Sequence, residues 1–212
     1  MRPDAPGRFI TLEGGEGAGK STQIQRLRRW LGERGREVVA TREPGGAPGA
    51  EMVRKLLVEG PAERWDGTTE ALLHFAARRD HLRATVWPAL ARGAWVVCDR
   101  FADSTTAYQG YGHGIDRHLL QQLYDLAVGD FRPDLTLVLD LPVEVGLARA
   151  AARHGSENRY EGLQRDFHER VRGGFLDIAA REPGRCVVID ATGDVDSIAA
   201  AIGAAVTQRL GG

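Results

Sequence analysis

Gly14-Gly15-Glu16-Gly17-Ala18-Gly19-Lys20-Ser21 fits G-x-x-x-x-G-K-[ST], the pattern of a loop that cradles nucleotide phosphates. Glycines let the backbone turn with its N–H groups pointing inward, so the peptide itself becomes the anion receptor. Lys20 brings a compact positive charge to the outer phosphates, and the Ser21 hydroxyl can ligate Mg²⁺. A helix starting about Lys20 adds its positive N-terminal end. The flanks support this: Arg8 to Glu13 reads as a short buried strand, and Ile24, Leu27, Trp30 and Leu31 recur at helical spacing. The dinucleotide fingerprint G-x-G-x-x-G fails, because its sixth position counted from Gly15 is Lys20. The ligand expected is therefore a nucleoside triphosphate.

With 212 residues the chain can bury one substantial core, and a single α/β domain spanning 1–212 is expected. A net charge of −1 points to no nucleic-acid or membrane-surface partner. Of 28 basic residues only Lys20 and Lys55 are lysine, which fits an arginine-favouring codon usage. Cys98 and Cys186 each fall in an apolar run and read as buried thiols. Residues 1–7 lack the apolar centre of a signal peptide, and no apolar run is long enough to span a bilayer, so a cytoplasmic protein is expected.

Further strands are expected at Glu37–Thr41, Ala94–Cys98, Leu135–Leu139 and Arg185–Ile189. Helices are expected over about 50–59, 68–91 with Pro88 bending it or restarting its last turn, 116–128, from Pro142, 162–181 and 194–210. Gly110-Tyr111-Gly112-His113-Gly114 reads as a break, and His113 and His118 as exposed. Asp140 reads as a cap for the helix at Pro142, and the four tryptophans as core or interface residues. Five strands alternating with helices make a doubly wound parallel sheet, with ligands at the carboxyl ends of the strands. Glu13, Arg42, Asp99, Arg100 and Asp140 then gather on the rim that carries the phosphate loop.

Several motifs in a fixed order resemble the thymidylate kinases, which phosphorylate dTMP to dTDP with ATP. They are Phe9-Ile10-Thr11-Leu12-Glu13-Gly14, Thr41-Arg42-Glu43-Pro44-Gly45-Gly46, Asp99-Arg100-Phe101, Ser104, Ala107-Tyr108-Gln109-Gly110, Arg132-Pro133-Asp134-Leu135-Thr136 and Asp140-Leu141-Pro142-Val143-Glu144-Val145-Gly146-Leu147. The resemblance covers about Phe9 to Gly193 and implies the P-loop nucleoside monophosphate kinase fold, a five-stranded parallel sheet with helices on both faces. It implies that Gly14 to Ser21 and Thr22 hold ATP, with Ser21 and Asp99 near Mg²⁺. Glu16, Arg42, Phe75, Arg78, Arg100, Ser104, Thr105, Tyr108 and Gln109 would hold dTMP. In that set Arg100 takes the monophosphate, Arg78 a thymine carbonyl, and Tyr108 excludes a ribose hydroxyl. Lys20, Asp99 and the arginines Arg149, Arg153 and Arg159 of a lid at about 149–161 would serve the transfer. A homodimer is implied as well, through helices away from the strand-end rim.

Two departures from the family pattern stand out. The family's stacking ring commonly lies four residues before the arginine matched by Arg78; His74 holds that position here and Phe75 the next. Either ring can face the pocket from one helix face, and Phe75 is preferred. The lid reads Glu157-Asn158-Arg159, where Asp-Arg is usual. No variable position of the loop is basic, unlike in some family members, so charge on the transferring phosphate must come from elsewhere, and the arginine-rich stretch 149–159 is the candidate. For Arg42-Glu43 the alternative is a surface ion pair of little energetic weight, but strand-end placement and the Pro-Gly-Gly that follows favour a substrate role. Because the acceptor is itself a phosphate, mostly dianionic above a pKa of about 6, no catalytic base is needed. Positioning and positive charge carry such a transfer.

Overall fold

Alternation along β1 (Phe9–Glu13) sorts its side chains to the two faces of a sheet. Ile10 and Leu12 pack with Ile24, Leu27 and Leu31 of α1 (Lys20–Gly32) and with Ile198, Ile202 and Val206 of α9 (Val195–Leu210). On the opposite face Phe9 joins Phe75, Leu82, Phe101 and Tyr124. The molecule, a computed structural model, is described over residues 7–61, 64–152 and 163–211. The other strands are β2 (Val38–Arg42), β3 (Trp95–Asp99), β4 (Leu135–Asp140) and β5 (Cys186–Asp190). All pair in parallel in the order β2-β3-β1-β4-β5, so the expected doubly wound sheet is observed.

Register decides where the chemistry can sit. Leu12 and Arg42 both pair with Asp99, and Asp140 pairs with Asp190, so these strands end along one rim. The remaining helices are α2 (Pro48–Val58), α3 (Gly67–His81), α4 (Trp87–Ala91), α5 (Ala102–Thr105), α6 (Arg117–Ala127), α7 (Val143–Ala151) and α8 (Arg165–Arg181). As expected, the Asp116 and Asp194 side chains cap α6 and α9.

Two expectations change. The long helix to Ala91 is three pieces: a widened π-helical turn, Leu82–Val86, joins α3 to α4. Pro88 offers no N–H to the preceding turn and its ring crowds that turn, and the wide turn just before it absorbs the conflict. The break expected at Gly110–Gly114 is instead mostly helical, a π-helical run over Thr106–Gly112 continuing α5. Packing overrides propensity here. A carbon added at Gly112 would lie 2.5 Å from the Phe167 ring of α8, so glycine is what lets the two helices close.

Candidate active site

The phosphate loop leaves β1 at Gly14, whose φ of +133° and contact with Leu139 exclude a side chain. Lys20 opens α1 and folds back, donating to the carbonyls of Gly14 at 3.0 Å and Gly15 at 2.8 Å. Burial and the nearby Arg100 push its ammonium down to about 8, against the pull of Asp99, Glu16 and Glu13. Ser21 Oγ donates to Asp99 Oδ2 at 3.0 Å, and Asp99 Oδ1 is buried with no partner. A hydroxyl and an orphaned carboxylate oxygen beside the phosphate cradle are the donors a hard divalent cation takes.

Arg100 follows β3 in left-handed backbone, φ +68°, a conformation that costs a non-glycine residue energy. It carries the guanidinium beneath the loop. Nη1 donates to Gly14 O at 3.0 Å and Ser104 Oγ at 3.1 Å; Nη2 donates to Glu16 Oε1 at 2.8 Å and the Tyr108 hydroxyl at 3.1 Å. Tyr108 in turn donates to Glu16 at 2.7 Å. Burial opposes charge on Glu16, yet Arg100, Lys20 and Tyr108 bring it down to about 2. Glu13 lies underneath, accepting from the Phe101 amide at 2.7 Å and from Ser104 Oγ at 2.6 Å. Burial, with Asp103 adding to it, pushes Glu13 up to about 8.

A second group forms where α3 meets the run from α5. Arg78 is 2% exposed, with Nε on Glu43 at 2.7 Å and Nη2 on Phe101 O and Thr105 Oγ1, both at 3.1 Å. Its guanidinium carbon lies 4.8 Å from the Phe75 ring centroid. Glu43 also meets His81 Nδ1 at 2.9 Å, and His81 Nε2 reaches Thr41 Oγ1 at 2.7 Å. Gln109 is fully buried and donates to Glu70 at 2.9 Å.

The structure thus brings Glu16, Lys20, Ser21, Asp99, Arg100, Ser104 and Tyr108 together, and places Phe75, Arg78 and Thr105 in the adjoining group. Arg42 and Glu43 do not form the alternative surface pair with each other: Arg42 meets Glu51 at 3.1 Å, half-exposed, while Glu43 turns inward. Asp140 does not cap α7; it binds Arg172 of α8 through both oxygens, at 2.7 and 2.9 Å. His113 and His118 are exposed, as expected, although the His113 ring leans to within 4.8 Å of that of Phe167. Arg149 points its Nη1 to Ala191 O at 3.5 Å, whereas Arg153, Asn158 and Arg159 lie outside the described residues. Sequence reasoning missed Glu70, and for Glu43 it read a substrate-side role shared with Arg42 rather than a carboxylate that anchors Arg78 and His81. For Glu43 the signal was available, since a carboxylate at a strand end beside Pro-Gly-Gly is well placed to turn inward.

Comparison with known proteins fits this geometry. The family model described as Thymidylate kinase matches residues 12–202. The thymidylate kinase of Caulobacter vibrioides is 58% identical over 205 residues, covering 97% of this chain and 98% of that protein. That of Magnetococcus marinus is 53% identical over 204 residues, covering 96% and 97%. The crystal structure of thymidylate kinase from Ehrlichia chaffeensis superposes with a TM-score of 0.78 at 37% identity, covering 95% of this chain and all of that one.

Proposed function

Because this chain belongs to the thymidylate kinase family, and so phosphorylates dTMP with ATP for dTTP synthesis, we propose that the transfer runs on positioning and charge alone, without an enzyme base. The observation that carries the reading is the phosphate loop sharing its rim with the Arg100–Glu16–Tyr108 cluster. Loop amides and Lys20 hold the donor phosphates. Ser21 and Asp99 would hold Mg²⁺, which would supply charge neutralisation to the phosphates. Arg100, fixed by its neighbours, presents positive charge to the acceptor phosphate. No variable position of the loop is basic, so Arg149, Arg153 and Arg159 are assigned the charge on the transferring group.

In the adjoining group, Phe75 and Arg78 receive the base, with Thr105 and Gln109 alongside. Phe75 is preferred over His74 because its ring meets the Arg78 guanidinium. Tyr108, pinned at its hydroxyl, presents a fixed ring to the sugar. Arg42, at the end of β2, is kept as a dTMP contact at the margin. The chain is read as one domain with a lid at about 149–161. It is also read as pairing with a second copy, supported by the exposed Met52, Leu72 and Leu126 on α2, α3 and α6, which pack side by side. A cytoplasmic location fits the two free, buried thiols of Cys98 and Cys186. A coupled assay offering dTMP, dUMP, UMP, CMP and AMP tests the acceptor site: dTMP should lead, and preference for a ribonucleotide would overturn the role given to Tyr108.

A further inference from the structure

Glu70 stands in the first turn of α3 with its side chain 1% exposed, and the fully buried Gln109 donates Nε2–H to its Oε2 at 2.9 Å. A carboxylate only accepts, so the amide has one permitted orientation. Its other end, Oε1, must turn away from Glu70, and this oxygen is buried with no hydrogen-bond partner. Arg78 shows the complementary pattern. Glu43, Phe101 O and Thr105 Oγ1 occupy Nε and Nη2, while Nη1 is buried without a partner. Thr105 and Gln109 are four residues apart in one helical run, and α3 packs on that run. One seam therefore holds an orphaned donor and an orphaned acceptor. Buried polar groups are seldom left so unless water, an ion or a ligand completes them, and a donor and an acceptor in one seam fit a ligand edge.

We propose that Glu70 is a positioning residue that sets the hydrogen-bond polarity of the base site. By fixing Gln109 as an acceptor beside the donor Arg78, it selects an edge carrying a carbonyl next to a ring N–H. Thymine has that edge; cytosine presents the reverse, an exocyclic amine next to a bare ring nitrogen. Glu43 cannot play this part, because a guanidinium only donates and has no polarity to invert. An amide has, and Glu70 removes the choice. The inference rests on the reading of Arg78 and Gln109 as base contacts.

The test is kcat/KM for dTMP and for dCMP in four proteins: the unaltered enzyme, Glu70→Gln, Gln109→Met and the exchange variant Glu70→Gln/Gln109→Glu. Sites built to hydrogen-bond one edge reject its analogue strongly. Glu70→Gln lets the Gln109 amide turn over, so the dTMP-to-dCMP ratio should fall at least about tenfold. In the exchange variant the amide moves to α3 and donates to a carboxylate on the facing run, which can only accept, and the ratio should return to near its original value. A purely structural role for Glu70 would lower both substrates equally and leave the ratio unchanged, which overturns the proposal. An unchanged ratio in Gln109→Met would instead remove Gln109 from the base site, and the proposal with it. If Gln109→Met collapses the ratio but Glu70→Gln does not, only the role of Glu70 falls. Should Glu70→Gln fail to fold, the exchange variant carries the test, and loss of discrimination there overturns the proposal.

Discussion

Arg100 is held in left-handed backbone and its guanidinium meets four partners, so its charge is placed before any substrate arrives. Preorganisation of this kind spares the reaction the cost of arranging its own electrostatics. The Tyr108 hydroxyl joins Arg100 to Glu16 and gives a direct handle on it. Tyr108→Phe keeps the ring but removes the hydroxyl's hydrogen bonds to two charged groups, Glu16 and Arg100, a loss of about 1.5–3 kcal/mol. kcat/KM for dTMP should fall by a corresponding amount, roughly ten- to a hundredfold, with KM for ATP little changed. An equal loss toward both substrates would assign the hydroxyl to the loop rather than to the acceptor site. Much of this was legible in the sequence, because Asp99-Arg100 at a strand end and Gly14 to Ser21 carry their chemistry locally. The Glu16–Tyr108 bond was not, since it joins residues 92 apart whose meeting depends on α5 lying over β1.

Among the elements, α7 sits against the phosphate loop with backbone touching backbone. A carbon added at Gly17 would lie 2.0 Å from the Gly146 carbonyl oxygen, and one at Gly146 would lie 2.4 Å from that of Glu16. Neither neighbour is a flexible side chain that can yield. Helix propensity alone says that Gly146→Ala should stabilise α7 by about 1 kcal/mol. Overpacking costs about 1–3 kcal/mol and should win. The variant is predicted to melt lower, by about 2–4 °C per kcal/mol in a chain of this size, and to lose activity through displacement of the Glu16 peptide. A higher melting temperature with full activity would contradict this packing. Strand positions and the helices α1, α6 and α9 were legible from periodicity and capping residues. The π-helical stretches were not, because Gly110 and Gly112 read as turn residues until α6 is placed against the first and α8 against the second. The pairing of Asp140 with Arg172 likewise needs the tertiary approach of α8 to β4.

In the whole molecule the parallel register collects the ends of β1, β2, β3 and β4 on one rim, while α2, α3 and α6 present exposed Met52, Leu72 and Leu126 elsewhere. If those helices form the dimer face, Leu72→Asp together with Met52→Asp should leave a folded monomer in sedimentation experiments at micromolar protein. A dimer that survives both changes would place the interface on another surface. The fold class was legible in the alternation of strands and helices, and the rim followed from it; the order β2-β3-β1-β4-β5 required the structure. On the proposed mechanism the assembled rim moves a phosphoryl group by position and charge, with no proton acceptor of its own. Glu13 is the carboxylate best placed to contradict it, being buried near Arg100 and pushed up to about 8. The decisive measurement is kcat against pH at saturating ATP and dTMP. Transfer by position and charge predicts a rise only through the acceptor phosphate, with its pKa of about 6, then a plateau that ends in a fall where Lys20, pushed down to about 8, loses its charge. A further rise through pH about 8, lost in Glu13→Gln, would show an enzyme base in the chemistry and contradict that claim.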